Sequence, residues 1–85
     1  MARRSAAALR YDRSLPAPFV VARGIDDLAD RLQDLARRYS VPVVRQSELA
    51  ERLVLLEPGR CIPEHLYDPV AKVLIAFLQA GVVHE

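Results

Sequence analysis

The residue types that do chemistry are sparse in this chain: one cysteine, two histidines and no asparagine. Cys61 and His65 stand four residues apart, close enough on a helical turn for an imidazole to take a proton from a thiol. No acid is placed to orient that imidazole, so Cys61 reads as a packed or half-exposed structural thiol. Glu64-His65 beside Tyr67-Asp68 suggests an acid/base or metal cluster. No second His or Cys stands at ligand spacing, however, and His65 reads as a partly exposed residue at a helix start. His84 falls in what reads as a tail. Gly24, Gly59 and Gly81 each mark an element boundary, which leaves no loop to cradle a phosphate. Arg3-Arg4 offers charge to an acidic partner but reads as a solvated end. No catalytic residue, cofactor or metal site is expected.

The elements that would position any site must fit in 85 residues. That is one domain, spanning 1–85, with flexible ends at about 1–4 and 81–85. Such a chain buries about 60% of the surface its unfolded form exposes, a thin core. The apolar fraction of 52% and charged fraction of 27% are those of a soluble globular protein. A net charge of +1 supplies no basic stripe for nucleic acid. A single cysteine fits a reducing compartment. No apolar run approaches the ~18 residues of a membrane span, and the apolar part of Met1–Leu9 is too short and weak for a signal peptide. The expected location is the cytoplasm, without direct membrane insertion.

The organising stretch is Ala17-Pro18-Phe19-Val20-Val21-Ala22-Arg23-Gly24. A proline opens it, four apolar residues follow and a glycine closes it, the pattern of a strand buried on both faces. Ser5–Tyr11 is too short for an independent helix and is expected to pair with that strand as another. From Ile25 to Tyr39 the period becomes helical, with Ile25, Leu28, Leu32, Leu35, Ala36 and Tyr39 inward. Asp27–Arg31 and Asp34–Arg38 are acid-first pairs on its outer face. Val41–Arg45 reads as a short strand. Ser47 then caps a helix from Glu48 to Leu55, with Leu49, Leu53 and Leu56 inward. Ile62–Tyr67 reads as one helical turn, broken before Pro69. Asp68 caps a last helix to Ala80, with Val70, Val73, Leu74, Phe77 and Leu78 inward and Gly81 as its stop. The expectation is α/β: a small three-stranded mixed sheet with three to four helices, in which Phe19–Val44 is a right-handed parallel crossover.

The strings Ala8-Leu9-Arg10-Tyr11-Asp12 and Ala17–Gly24 resemble the C-terminal cytoplasmic domain of the FlhB/YscU family, export-switch components of flagellar and injectisome type III secretion. The likeness continues through Leu28-Ala29, Arg31-Leu32, Val41-Pro42-Val43, Leu49-Ala50, Ile62-Pro63, Leu66-Tyr67, Val70-Ala71 and Val73-Leu74. Family members carry four membrane helices ahead of this domain and an Asn-Pro-Thr-His motif at which the chain cuts itself. Here Met1-Ala2-Arg3-Arg4 stands at the motif. Self-cleavage needs the Asn side chain to attack its own carbonyl, so a chain without asparagine cannot perform it. The resemblance implies a pre-severed C-terminal half acting as a non-enzymatic cytoplasmic adaptor, peripheral at the export apparatus. Its implied partners are a membrane-bound export-gate protein of the FlhB type, intact or truncated, and export substrates or their regulators. By motif, the family's substrate-receiving patch falls on Ala17, Pro18, Ala71 and Leu74. The resemblance also implies that the family strand ahead of the motif is missing, which leaves a sheet edge unpaired, and inviting strand addition, unless the N-terminal residues cover it. The alternative is a protein-interaction module derived from this domain with no role in secretion.

Overall fold

The computed structural model describes residues 4–11, 14–77 and 80–85. Strand β1 is Ser5–Arg10 and strand β2 is Phe19–Ile25, paired antiparallel. Three consecutive alanines favour helix by propensity, yet here they form strand because both faces of β1 are covered. Ala6 lies in one apolar cluster and Ala7 in the other, on opposite sides of the pleat.

Between Ala8 and Leu9 the register slips, so that Ala8 faces Ala22 and Leu9 faces Val20. Val21 is left without a partner as a bulge, and it is 49% exposed. The organising strand is therefore not buried on both faces. It is also not the middle of the sheet, because the strand order is β2-β1-β4-β3.

Helix α1, Asp27–Arg38, packs over Ala6 and Val82 through Ala29 and Ala36. The inward face is rotated from the expected one: Leu32 is half-buried, whereas Leu28, Leu35 and Tyr39 are exposed. The cause is at Gly24, where an added Cβ would come within 2.7 Å of Leu28 backbone and side chain. A helix seated that close to the sheet must turn its small residues inward. Arg4 is no free end. Its N–H donates to Asp26 Oδ1 (3.1 Å), the Asp26 N–H returns to the Arg4 carbonyl (2.7 Å), and the guanidinium grips both Asp30 oxygens at 3.2 and 3.1 Å. That hydrogen bond, with the Asp30 charge, pushes the guanidinium pKa further up. Within α1 the ion pair formed is Asp34–Arg37 at 3.9 Å, not the expected four-residue pairs.

Strand β3, Val43–Arg45, follows, then helix α2, Ser47–Leu53. Ser47 is the first helical residue and not the cap: Gln46 takes the cap position, and its side chain makes no capping hydrogen bond. Leu49 and Leu53 are buried as expected, and Leu56 packs at the cluster's margin. A single 3-10 turn, Glu64–Leu66, runs straight into helix α3, Tyr67–Phe77. The break expected before Pro69 is absent. In the first turn of a helix a missing N–H forfeits no intrahelical bond, so proline is tolerated there. Val70, Val73 and Leu74 face inward. The side chain of Phe77, and Leu78, lie outside the described residues.

The sheet has four strands, not three. The expected tail is β4, Ala80–His84, with Gly81, Val82 and Val83 buried. It pairs antiparallel with β1 and parallel with β3, closing the edge expected to stand open beside β1. β2 and β3 run in the same direction but at opposite edges of the sheet. Helix α1 covers one face; α2 and α3 close the other around Ala7, Leu9, Val20 and Val83.

Candidate functional site

The four residues singled out in the sequence, Ala17, Pro18, Ala71 and Leu74, line one groove together with Tyr11, Pro16, Tyr67 and Ile75. Its volume is about 380 Å³. One wall is the approach to β2, the Pro16-Ala17-Pro18 segment, held from behind by the chain around Cys61. The Ile62 N–H donates to the Pro18 carbonyl at 2.8 Å, the Cys61 thiol to the Ala17 carbonyl at 3.5 Å, and Cys61 bridges Phe19. With two prolines and two backbone anchors, this wall is pre-set and not adaptable.

The other wall is α3. Tyr67, Ala71, Leu74 and Ile75 recur at steps of four, three and one residues, which is one side of a helix. Ala17 (3% exposed) and Leu74 (7%) form the floor, while Tyr67 and Ile75 (79%) stand at the rim. Ala71 is exposed between them. Alanine at 17 and 71 is what makes the hollow, since any larger side chain would occupy it. Among the described residues no charged side chain lines the groove, and such a lining suits an apolar side chain.

Tyr11, Pro16, Tyr67 and Ile75 are groove residues that the sequence does not assign to this patch. Ile75 carried the clearest signal: a large β-branched residue one position outside the inward stripe Val70, Val73 and Leu74. The other candidates are not brought together. Cys61 is exposed in a shallow dip with Leu55, Leu56, Glu57, Arg60 and Pro63, whereas His65 lies in a separate one with Glu64, Tyr67 and Asp68. His84 is on β4, opposite Ala6, with its Nδ1 2.7 Å from the Glu85 carbonyl. Among the described residues, no group of three or more His, Cys, Asp or Glu could hold a metal ion. Among them too, no helix is long and apolar enough to cross a membrane.

The class these elements define is a small mixed α/β domain, a four-stranded sheet clasped between one helix and two, with an apolar groove at one end. The chain belongs to the FlhB HrpN YscU SpaS family, whose model matches residues 3–77. It is similar to the flagellar biosynthetic protein FlhB of Helicobacter pylori, 38% identical over 69 residues that make up 80% of this chain and 19% of that protein. It is similar also to the secretion system apparatus protein SsaU of Salmonella typhimurium, 37% identical over 75 residues, 87% of this chain and 21% of that one. The chain thus spans about a fifth of the length of these relatives. Among solved structures, a mutated EscU/SpaS C-terminal domain superimposes with a TM-score of 0.82 at 30% identity, covering 87% of this chain and 94% of that one. The PscU C-terminal domain gives 0.80 at 31% identity, over 85% and 94%.

Proposed function

We propose that this chain is a non-enzymatic component of a flagellar or type III protein export apparatus, acting in the cytoplasm. Its groove receives an apolar anchor from an export substrate and so influences which substrates pass. The observation that carries this reading is the convergence of Ala17, Pro18, Ala71 and Leu74 on one hollow between a proline-stiffened wall and α3. Family membership and the export roles in the relatives' names support the setting. Docking onto a membrane-bound FlhB-type protein, intact or lacking its own C-terminal part, would hold the domain at the site of export.

The test is fluorescence anisotropy with labelled N-terminal segments of the same organism's flagellar export substrates, against the wild-type chain and Ala71→Asn. Ala71 is exposed, so the substitution places an amide in the hollow without disturbing the core. Saturable binding that weakens at least tenfold in the variant, with an unchanged melting temperature, is the expected result. Equal binding by both proteins, or none by either, would remove the groove from the proposal. Co-purification with the export gate tests the setting separately.

A further inference from the structure

The family match ends at residue 77, and β4 begins at Ala80. Yet β4 is the strand on which both neighbours depend. Val82 takes its place between Ala8 on one side and Val43 on the other, and Val83 between Ala7 and Val44. Bonds at its margins complete both ladders: the Val82 N–H donates to the Pro42 carbonyl at 2.8 Å, the Gln46 N–H to the His84 carbonyl at 2.8 Å, and the Glu85 N–H to the Ser5 carbonyl at 3.0 Å. Both faces of the strand are covered too, Val82 in the α1 cluster and Val83 in the α2–α3 cluster. Without β4, the matched segment would hold β1 and β3 apart by one strand's width. Two rows of backbone donors and acceptors would then face an empty, apolar-walled slot, an arrangement that buried polar groups make costly.

We infer that the space between β1 and β3 is a strand-acceptor site, filled here by Ala80–Glu85 acting as a ligand strand carried on the same chain. The matched segment builds the site, and sequence outside it supplies the occupant. The slot specifies that occupant closely. Its second residue must be small where Gly81 lies opposite Leu9, and its third and fourth β-branched where Val82 and Val83 meet opposite faces. The partner class is therefore an extended protein segment with this pattern, entering antiparallel to β1 and parallel to β3. The inference is independent of the groove, which β4 does not line.

The test uses the full chain with Val82→Arg, which sets a charge against Ala6, Ala29 and Ala36 and so expels the chain's own strand. The probe is a fluorescein-labelled peptide of sequence Ala80–Glu85. Wild type, its slot occupied, is expected to bind the peptide at least tenfold more weakly than the variant does. Binding is expected to raise the variant's melting temperature, because a ligand of the native state alone stabilises it by mass action. The same peptide carrying Val82→Arg should bind neither protein. A folded variant that ignores the wild-type peptide would overturn the inference. Should the variant not fold alone, refolding with excess peptide must recover the native circular dichroism, and failure to recover it would also overturn the inference. Val82→Ala, a smaller perturbation, is expected to take up peptide to an intermediate degree.

Discussion

Gly24 and Leu28 are in contact across the junction between strand and helix: a Cβ built on Gly24 lies 2.7 Å from both the carbonyl carbon and the Cβ of Leu28. Two of the obstructing atoms are backbone, so no side-chain rotation clears them. Gly24→Ala must lift the start of α1 off β2, and overpacking of this kind costs about 1–3 kcal/mol. A lower urea midpoint with an unchanged m-value is the expected readout. A neutral Gly24→Ala would show that α1 is less closely seated than this contact requires.

A gain of stability is expected at the other end of the same helix. Ser40 has φ 59°, its N–H donates to the Arg37 carbonyl at 3.2 Å, and the Val41 N–H reaches the Ala36 carbonyl at 2.7 Å. This is the paired closing motif in which a left-handed residue ends a helix, and glycine fills that position without the Cβ penalty. Ser40→Gly should therefore raise stability by roughly 0.5–1 kcal/mol, allowing for glycine's larger unfolded-state entropy. Thermal denaturation of the two proteins side by side measures it.

Which elements are legible in the sequence follows from which forces act locally. The β2, α1, α2 and α3 segments could be read because their apolar periods and their Pro and Gly punctuation are written within a few residues. β4 could not. Ala80-Gly81-Val82-Val83-His84 is short, and its Gly81 reads as a helix stop; it becomes a strand only because β1 and β3 offer it two ladders from distant parts of the chain. The inward face of α1 departs from the leucine stripe for a related reason. Leucines announce an inward stripe, but the Ala6 and Gly24 surface beneath the helix admits only Ala29 and Ala36 at close range, which turns Leu28 and Leu35 to the flank. In the groove, the two alanines and Leu74 were readable through family likeness. The aromatic and β-branched rim was not, because it depends on how Tyr11 and α3 come together in space.

Arg4 joins backbone and side-chain contacts, and two variants separate them. Arg4→Ala removes the guanidinium grip on Asp30 but keeps the backbone exchange with Asp26; an exposed ion pair of this kind contributes little and is screened by salt. Asp26→Ala instead removes the side-chain acceptor for the Arg4 N–H and puts alanine at φ 54°, a left-handed geometry that alanine adopts poorly. The second change is expected to cost more, about 1–2 kcal/mol, and to be insensitive to sodium chloride, whereas the first should vanish at high salt. Chemical denaturation in urea at two ionic strengths distinguishes them.

Leu74 and Ile75 are adjacent on α3 and line the same groove, yet they should fail in opposite ways. Leu74 belongs to the floor and to the core cluster with Val70 and Val73, so Leu74→Ala removes buried methyl groups and is expected to cost about 2–4 kcal/mol. Ile75 is mostly exposed and touches the groove only at its rim, so Ile75→Ser should change stability by no more than about 0.5 kcal/mol. Burial at the rim arises only when a segment occupies the hollow, and the cost of Ile75→Ser should therefore appear in binding. An apolar side chain fully covered by a ligand contributes about 1.5–3 kcal/mol, which partial coverage reduces to a loss of roughly tenfold in affinity. Anisotropy titrations and melting curves on both variants give the comparison. If Ile75→Ser bound substrate segments as wild type does while Leu74→Ala lost binding in proportion to its lost stability, Leu74 would be a core residue alone, and the anchor would have to seat elsewhere.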